Sequence, residues 1–198
     1  TVYDAKGAAA PCRPCRYGQI VPIAEGMRVR FSDIGHLLGS ACIEFWLQEG
    51  GIEKKIVFSG DVGNIDQPIL NDPQPVAETD YLVVESTYGN RLHDKPKDVR
   101  AELTDVLQRA FDRGGSVIIP AFAVGRTQEL LYLLREIKQK KLVHGHDGFP
   151  VYLDSPLAEE ATSVFLQCDT DCFDPETQEV LKSGQNPIWC PGLQLALT

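Results

Sequence analysis

The hydrophobic period of this chain changes near residue 90, and that change limits the folds open to it. Before it, apolar residues alternate. Met27, Val29 and Phe31 interleave with Arg28, Arg30 and Ser32, and Ile43, Phe45 and Leu47 with Cys42, Glu44 and Trp46. Alternation of this kind marks half-buried strands. Gln48-Glu49-Gly50-Gly51 reads as a turn, and Ile56-Val57-Phe58 as a third strand, which together predict an antiparallel meander. Tyr81 to Val84 predicts a fourth strand after a long connection carrying Pro68, Pro73 and Pro75.

Beyond residue 90 the spacing becomes helical. Val99, Leu103, Val106, Leu107 and Ala110 form one stripe, closed by Gly114-Gly115. Leu130, Leu131, Leu134 and Ile137 form another, with Lys138, Lys140 and Lys141 placed to suit its C-terminal dipole. Ser116 to Ile119 and Val151 to Leu153 read as short buried strands between them, and Ser155-Pro156 as the start of a third helix. Alternating helices and strands predict a parallel, doubly wound sheet. The expected division is residues 1–92 and residues 93–198. The first 25 residues read as irregular, and the tail after Asp174 is punctuated by Pro and Gly, with Trp189 as its anchor.

A hydrophobic fraction of 43% in 198 residues is ample for a packed core. No apolar run approaches the roughly 18–20 residues of a membrane helix, and Thr1 onward has no basic-then-apolar leader. The net charge of −9 opposes nonspecific duplex binding, which rests on many Lys and Arg contacts to phosphate. It leaves room for a local basic channel. The six cysteines are expected to be free thiols. Cys12-Arg-Pro-Cys15 has zinc-knuckle spacing, but a structural zinc wants four ligands, and Cys168 with Cys172 is the sole partner pair in the sequence.

Two loops carry residues of metal-ligand type. His36 lies in Gly35-His-Leu-Leu-Gly39, and Asp61 in Ser59-Gly-Asp-Val-Gly63. Both follow strands separated by one hairpin, so both fall on one sheet edge and can converge. A neutral imidazole can bind zinc, and a carboxylate can bridge two cations about 3.5–4 Å apart. A turn histidine bonded to backbone and an Asx turn are the plain alternatives. Glu85, ending the fourth strand, could orient a histidine acting as general acid, or could cap a turn. Arg126, at a helix start, could meet phosphate or lie solvated. His93, His144 and His146 have no useful mutual spacing for one site, and His144-Gly-His146 reads as a surface loop.

The ordered segments GHLLGSA, SGDVGN, VVESTYGNR, PAFAVGRTQELL and VYLDSPLAEEAT resemble the β-CASP branch of the metallo-β-lactamase superfamily. The resemblance runs from about Val29 to Leu193. It is nearer to the polyadenylation-type endonuclease than to ribonuclease J, because of ESTYG and PAFAVGR. It implies an α/β fold: the later part of an αββα metallo-β-lactamase domain, then the first half of a β-CASP doubly wound domain. It implies that His36 ligates one zinc, that Asp61 bridges both zincs of a two-zinc centre, and that Glu85 partners a catalytic histidine. The implied activity is cleavage of RNA phosphodiester bonds in RNA processing. Single-stranded RNA is the implied partner, the cytoplasm the location, and a homodimer of the full-length protein is allowed. A noncatalytic scaffold subunit of a processing complex and a DNA-directed nuclease of the same fold stay open. The His-x-His-x-Asp-His metal motif that should precede His36 is absent, as are the histidine motifs that should follow Leu193. The chain is therefore expected to be the central piece of a longer protein. By itself it should bind zinc weakly, show no nuclease activity and associate through uncovered apolar surface.

Overall fold

The computed structural model describes residues 7–8, 10–92 and 98–196. His93 and the expected division after residue 92 therefore touch or lie outside the described residues. Five strands form the first sheet: β1 (Ile20–Ala24), β2 (Met27–Asp33), β3 (Ala41–Glu49), β4 (Ile52–Phe58) and β5 (Tyr81–Val83), paired in that order. The first four run antiparallel, β2 to β4 as the predicted meander, and β5 joins β4 in parallel. β1 corrects the expectation of an irregular first 25 residues. Its Pro22 and mostly exposed side chains give no alternation to read, yet its backbone pairs with β2 around the Glu25-Gly26 turn.

The two faces of this sheet differ in chemistry. Across one, Phe31, Ile43, Phe58 and Val83 stand in register, with Val29, Phe45, Ile56 and Tyr81 in the next row. Phe45 and Phe58 meet edge to face at 5.8 Å. Burial fades along these rows, from Val29 in the core to Tyr81 and Val83, which are more than half exposed. The other face carries the polar half of the alternation, but it is covered too. Val76, from the proline-bearing connection, packs on Cys42, Val57 and Ile34. Beside them Glu44 is fully buried, and burying a carboxylate requires partners. Arg30 grips it with Nε and Nη2 at 2.7 and 2.8 Å, Lys55 Nζ lies at 2.6 Å, and the Ser32 hydroxyl donates at 3.0 Å. Arg30 and Lys55 also lie 5.3 Å from the Trp46 ring centre.

The second half holds α1 (Val99–Phe111), α2 (Arg126–Gln139), β6 (Val151–Leu153), α3 (Pro156–Phe165), a single 3-10 turn (Thr170–Cys172), α4 (Pro175–Lys182) and β7 (Leu193–Leu195). α1 and α2 match the two predicted stripes. Ser155 caps α3 by accepting the Ala158 N–H at 3.2 Å, with Pro156 in the first turn. β6 and β7 pair in parallel. Two expectations need correction. Ser116 to Ile119 forms no strand: it pairs with no neighbour among the described residues, and Ile118 is 92% exposed. Within the Pro- and Gly-punctuated tail, Asp174 caps α4 by accepting the Thr177 N–H at 2.6 Å. Trp189 is half exposed, and its neighbours Ile188 and Cys190 are the buried anchors.

The main core gathers around α2, whose Leu131, Leu134 and Ile137 meet Leu107, Val143, Phe165 and Ile188. Ile69 and Leu70, from the connection between β4 and β5, are part of this core. Leu70 also bridges Phe173, and the Asp174 N–H donates to the Ile69 carbonyl at 2.9 Å. The two halves thus share packing. All six cysteines are free: Cys12 and Cys15 are exposed, Cys42 and Cys190 buried. Among the described residues no helix is long and apolar enough to cross a membrane.

Candidate metal centre

β2, β4 and β5 point the same way, because β2 and β4 both oppose β3 and β5 parallels β4. Their C-terminal ends therefore deliver three loops to one sheet edge. His36 follows β2, Asp61 follows β4 and Glu85 follows β5. The His36 turn is fixed by Ser40, whose hydroxyl accepts the N–H groups of His36 and Leu37 at 3.2 and 3.1 Å. The Asp61 loop lies directly against it, and the Gly63 N–H donates to the Ile34 carbonyl at 2.9 Å. The approach is so close that a Cβ on Gly63 would collide with the Gly35 carbonyl and come within 2.6 Å of the His36 nitrogen. Glycine at 63 is the residue that lets the two loops touch.

His36 Nε2 consequently lies 4.0 Å from Asp61 Oδ2, both side chains being open to solvent. The sequence-predicted pair is thus brought together. Glu85 joins from the third strand. Its Oε1 accepts the Val62 N–H at 2.8 Å, and its own N–H donates to the Ser59 hydroxyl at 3.1 Å, so it ties the Asp61 loop to β5. Hydrogen bonds from the Thr87 hydroxyl and from the Val62 N–H hold its carboxyl below the usual range, and His36 adds a smaller pull.

The start of α2 closes one side of this edge. Gly125 abuts Leu37 so tightly that a Cβ there would lie 2.5 Å from Leu37 Cδ2. Gln128 accepts the Gly125 N–H at 2.8 Å and donates to the Ala123 carbonyl and the Thr162 hydroxyl, which locks the helix start. Arg126 is at the first helical position and remains 60% exposed. Its Nη1 meets Glu129 Oε2 at 2.6 Å. Glu129 is not among the candidates that the sequence singles out, and its spacing of three from Arg126 is the one signal it offers. His144 and His146 lie elsewhere, and His146 Nε2 pairs with Asp112 Oδ1 at 3.1 Å.

The donor set suits a metal ion in kind, an imidazole beside a carboxylate. It is short in number, because no group of three or more His, Cys, Asp or Glu among the described residues could hold an ion. A zinc centre normally takes at least three protein ligands. His36 and Asp61 can therefore supply part of a coordination shell.

Comparison with known proteins finds a family match and several relatives. Residues 127–198 match the Beta-Casp domain family. The chain is 34% identical to the ribonuclease TTHA0252 of Thermus thermophilus over 97% of its own length and 42% of that protein's. It is 36% identical to cleavage and polyadenylation specificity factor 73 of Drosophila melanogaster, over 70% of this chain and 20% of that one. It is 34% identical to transcription termination factor FttA of Methanosarcina mazei, over 88% and 27%. Residues 127–198 thus carry a Beta-Casp domain match, and most of the chain is similar to these proteins, in line with its resemblance to the β-CASP branch of the metallo-β-lactamase superfamily. It spans less than half the length of these curated relatives.

Proposed function

We propose that this chain carries part of the active centre of a metal-dependent nuclease that hydrolyses RNA phosphodiester bonds. The observation that supports it best is the 4.0 Å approach of His36 to Asp61 at the sheet edge, in a chain whose similar proteins include a ribonuclease. On this reading residues 1–92 are the metallo-β-lactamase portion and residues 93–198 the β-CASP portion. Zinc would be the metal, two ions per complete centre, and His36 and Asp61 would be among the residues that hold them. Such a pair, when bound, supplies Lewis acidity at a phosphate and an activated water at neutral pH. Asp61 and Glu85 are the catalytic carboxylates. Glu85 fastens the Asp61 loop and would orient a histidine proton donor. Arg126, exposed beside the His36 turn, would meet a phosphate of single-stranded RNA. The cytoplasm and a homodimer of the full-length protein complete the reading.

The test is cleavage of labelled single-stranded RNA by the full-length protein beside its Asp61→Ala variant, with a matched DNA competitor. Outer-shell partners of metal ligands already contribute 10–100-fold to activity, so Asp61→Ala should lower the rate by more than roughly a hundredfold. Equal rates would remove Asp61 from the centre, and preferential competition by DNA would overturn RNA as the substrate.

A further inference from the structure

We infer that Glu129 is a positioning residue that holds the Arg126 guanidinium at the mouth of the His36–Asp61 edge, so that Arg126 meets RNA phosphate in one fixed orientation. The inference rests on the reading of Arg126 as a phosphate contact. Three observations carry it. The two side chains are unequally exposed: Glu129 is 14% accessible and Arg126 60%. The carboxylate is therefore the anchored member and the guanidinium the presented one. Next, Glu129 engages Arg126 through Nη1 alone at 2.6 Å, which leaves Nε and Nη2 without a partner among the described residues. A guanidinium has donors enough to hold a carboxylate and a phosphate together. Finally, the helix start bearing both residues is wedged against Leu37, next to His36, and is locked by Gln128. Burial raises the Glu129 carboxyl, and the neighbouring Arg126, then His36, pull it back, in keeping with that placement.

An ordinary exposed helix pair would contribute about 0–1 kcal/mol of stability and nothing to ligand binding. A plain electrostatic role would have the opposite sign, since deleting a carboxylate beside a phosphate site should tighten RNA binding. Fluorescence anisotropy of a labelled single-stranded RNA separates these cases. It is run with the full-length protein over a potassium chloride series, with EDTA present so that nothing is cleaved. Arg126→Ala should weaken binding and reduce the slope of log K against log salt by about 0.7, the value for one phosphate contact on a single strand. Glu129→Gln, which keeps the side-chain volume, and Glu129→Ala should do the same. Glu129→Asp should recover part of the loss, and Arg126→Ala combined with Glu129→Gln should bind no worse than Arg126→Ala alone. If Arg126→Ala weakens binding while Glu129→Gln binds as tightly as the parent or tighter, the inference fails and the phosphate reading stands. If Arg126→Ala binds like the parent with an unchanged slope, both fail.

Discussion

Glu44 is the side chain whose loss the structure should tolerate least. It is a fully buried carboxylate with Arg30, Lys55 and Ser32 all directed at it. Burial alone would raise its carboxyl, but these partners outweigh it and hold the group down at about 2. Removing it leaves two cations facing a site without a counter-charge. Breaking a buried pair in this way costs about 3–5 kcal/mol. Glu44→Ala should therefore shift the urea unfolding midpoint far more than Glu53→Ala, whose pairing with Arg28 is solvent-exposed. Equal shifts would show that the cluster contributes little. The pH dependence has a definite sign. Glu44 is depressed in the folded state, so the unfolded chain binds the extra proton. Its contribution is complete above the ordinary glutamate range near pH 4.5 and drains away as pH falls toward about 2. In the Glu44→Ala variant that component of acid sensitivity should be absent.

At the scale of elements, the docking of the His36 turn on the Asp61 loop depends on Gly63. Gly63→Ala places a methyl group against the Gly35 carbonyl, which cannot move without disturbing β2. The expected cost is about 1–3 kcal/mol, as for other forced overpacking, together with lower zinc uptake after dialysis, measured by elemental analysis. Unchanged stability and zinc content would mean that the loops have room the structure does not show. The convergence of these loops was legible from sequence because it needs only strand order: two strands in one direction, one hairpin between them. β2 and β3 were legible because their alternation is continuous, and β4 because Ile56-Val57-Phe58 is a short apolar run after a turn. β1 was not, since its pairing is made by backbone while its side chains stay outside. Ser116 to Ile119 misled in the opposite way, an apolar run whose composition says strand but which finds no partner strand. α4 could have been read from Asp174-Pro175, a capping residue followed by a first-turn proline. Glu129 offers only its spacing of three from Arg126, which does not set it apart from other first-turn glutamates until the His36 loop is seen beside it.

For the whole molecule, the exposed end of the apolar sheet face sets the behaviour in solution. Phe58, Tyr81 and Val83 are 41%, 57% and 53% accessible and adjoin across β4 and β5. β5 is also an edge strand, with backbone groups open to pairing. Contiguous apolar surface beside an open edge favours association. Light scattering on this 198-residue chain should therefore show mass rising with concentration. A variant carrying Tyr81→Lys and Val83→Lys should stay smaller, because charge on an edge strand opposes pairing. A parent chain that remains monomeric at its solubility limit would show that this face is self-sufficient.

The parallel pairing of β6 with β7 has a kinetic consequence. Val151 finds its partner in Leu193, 42 residues on, whereas Asp33 and Ala41 close the β2–β3 hairpin across only eight. By chain statistics the longer closure costs about 1.5 kcal/mol more in entropy. Three-residue strands return few contacts for it. The meander bearing His36 and Asp61 can therefore assemble from local contacts early, while the closure around α3 and α4 comes late. During synthesis the edge that gathers the metal-type ligands would exist before the half that supplies Arg126 and Glu129 has locked against it.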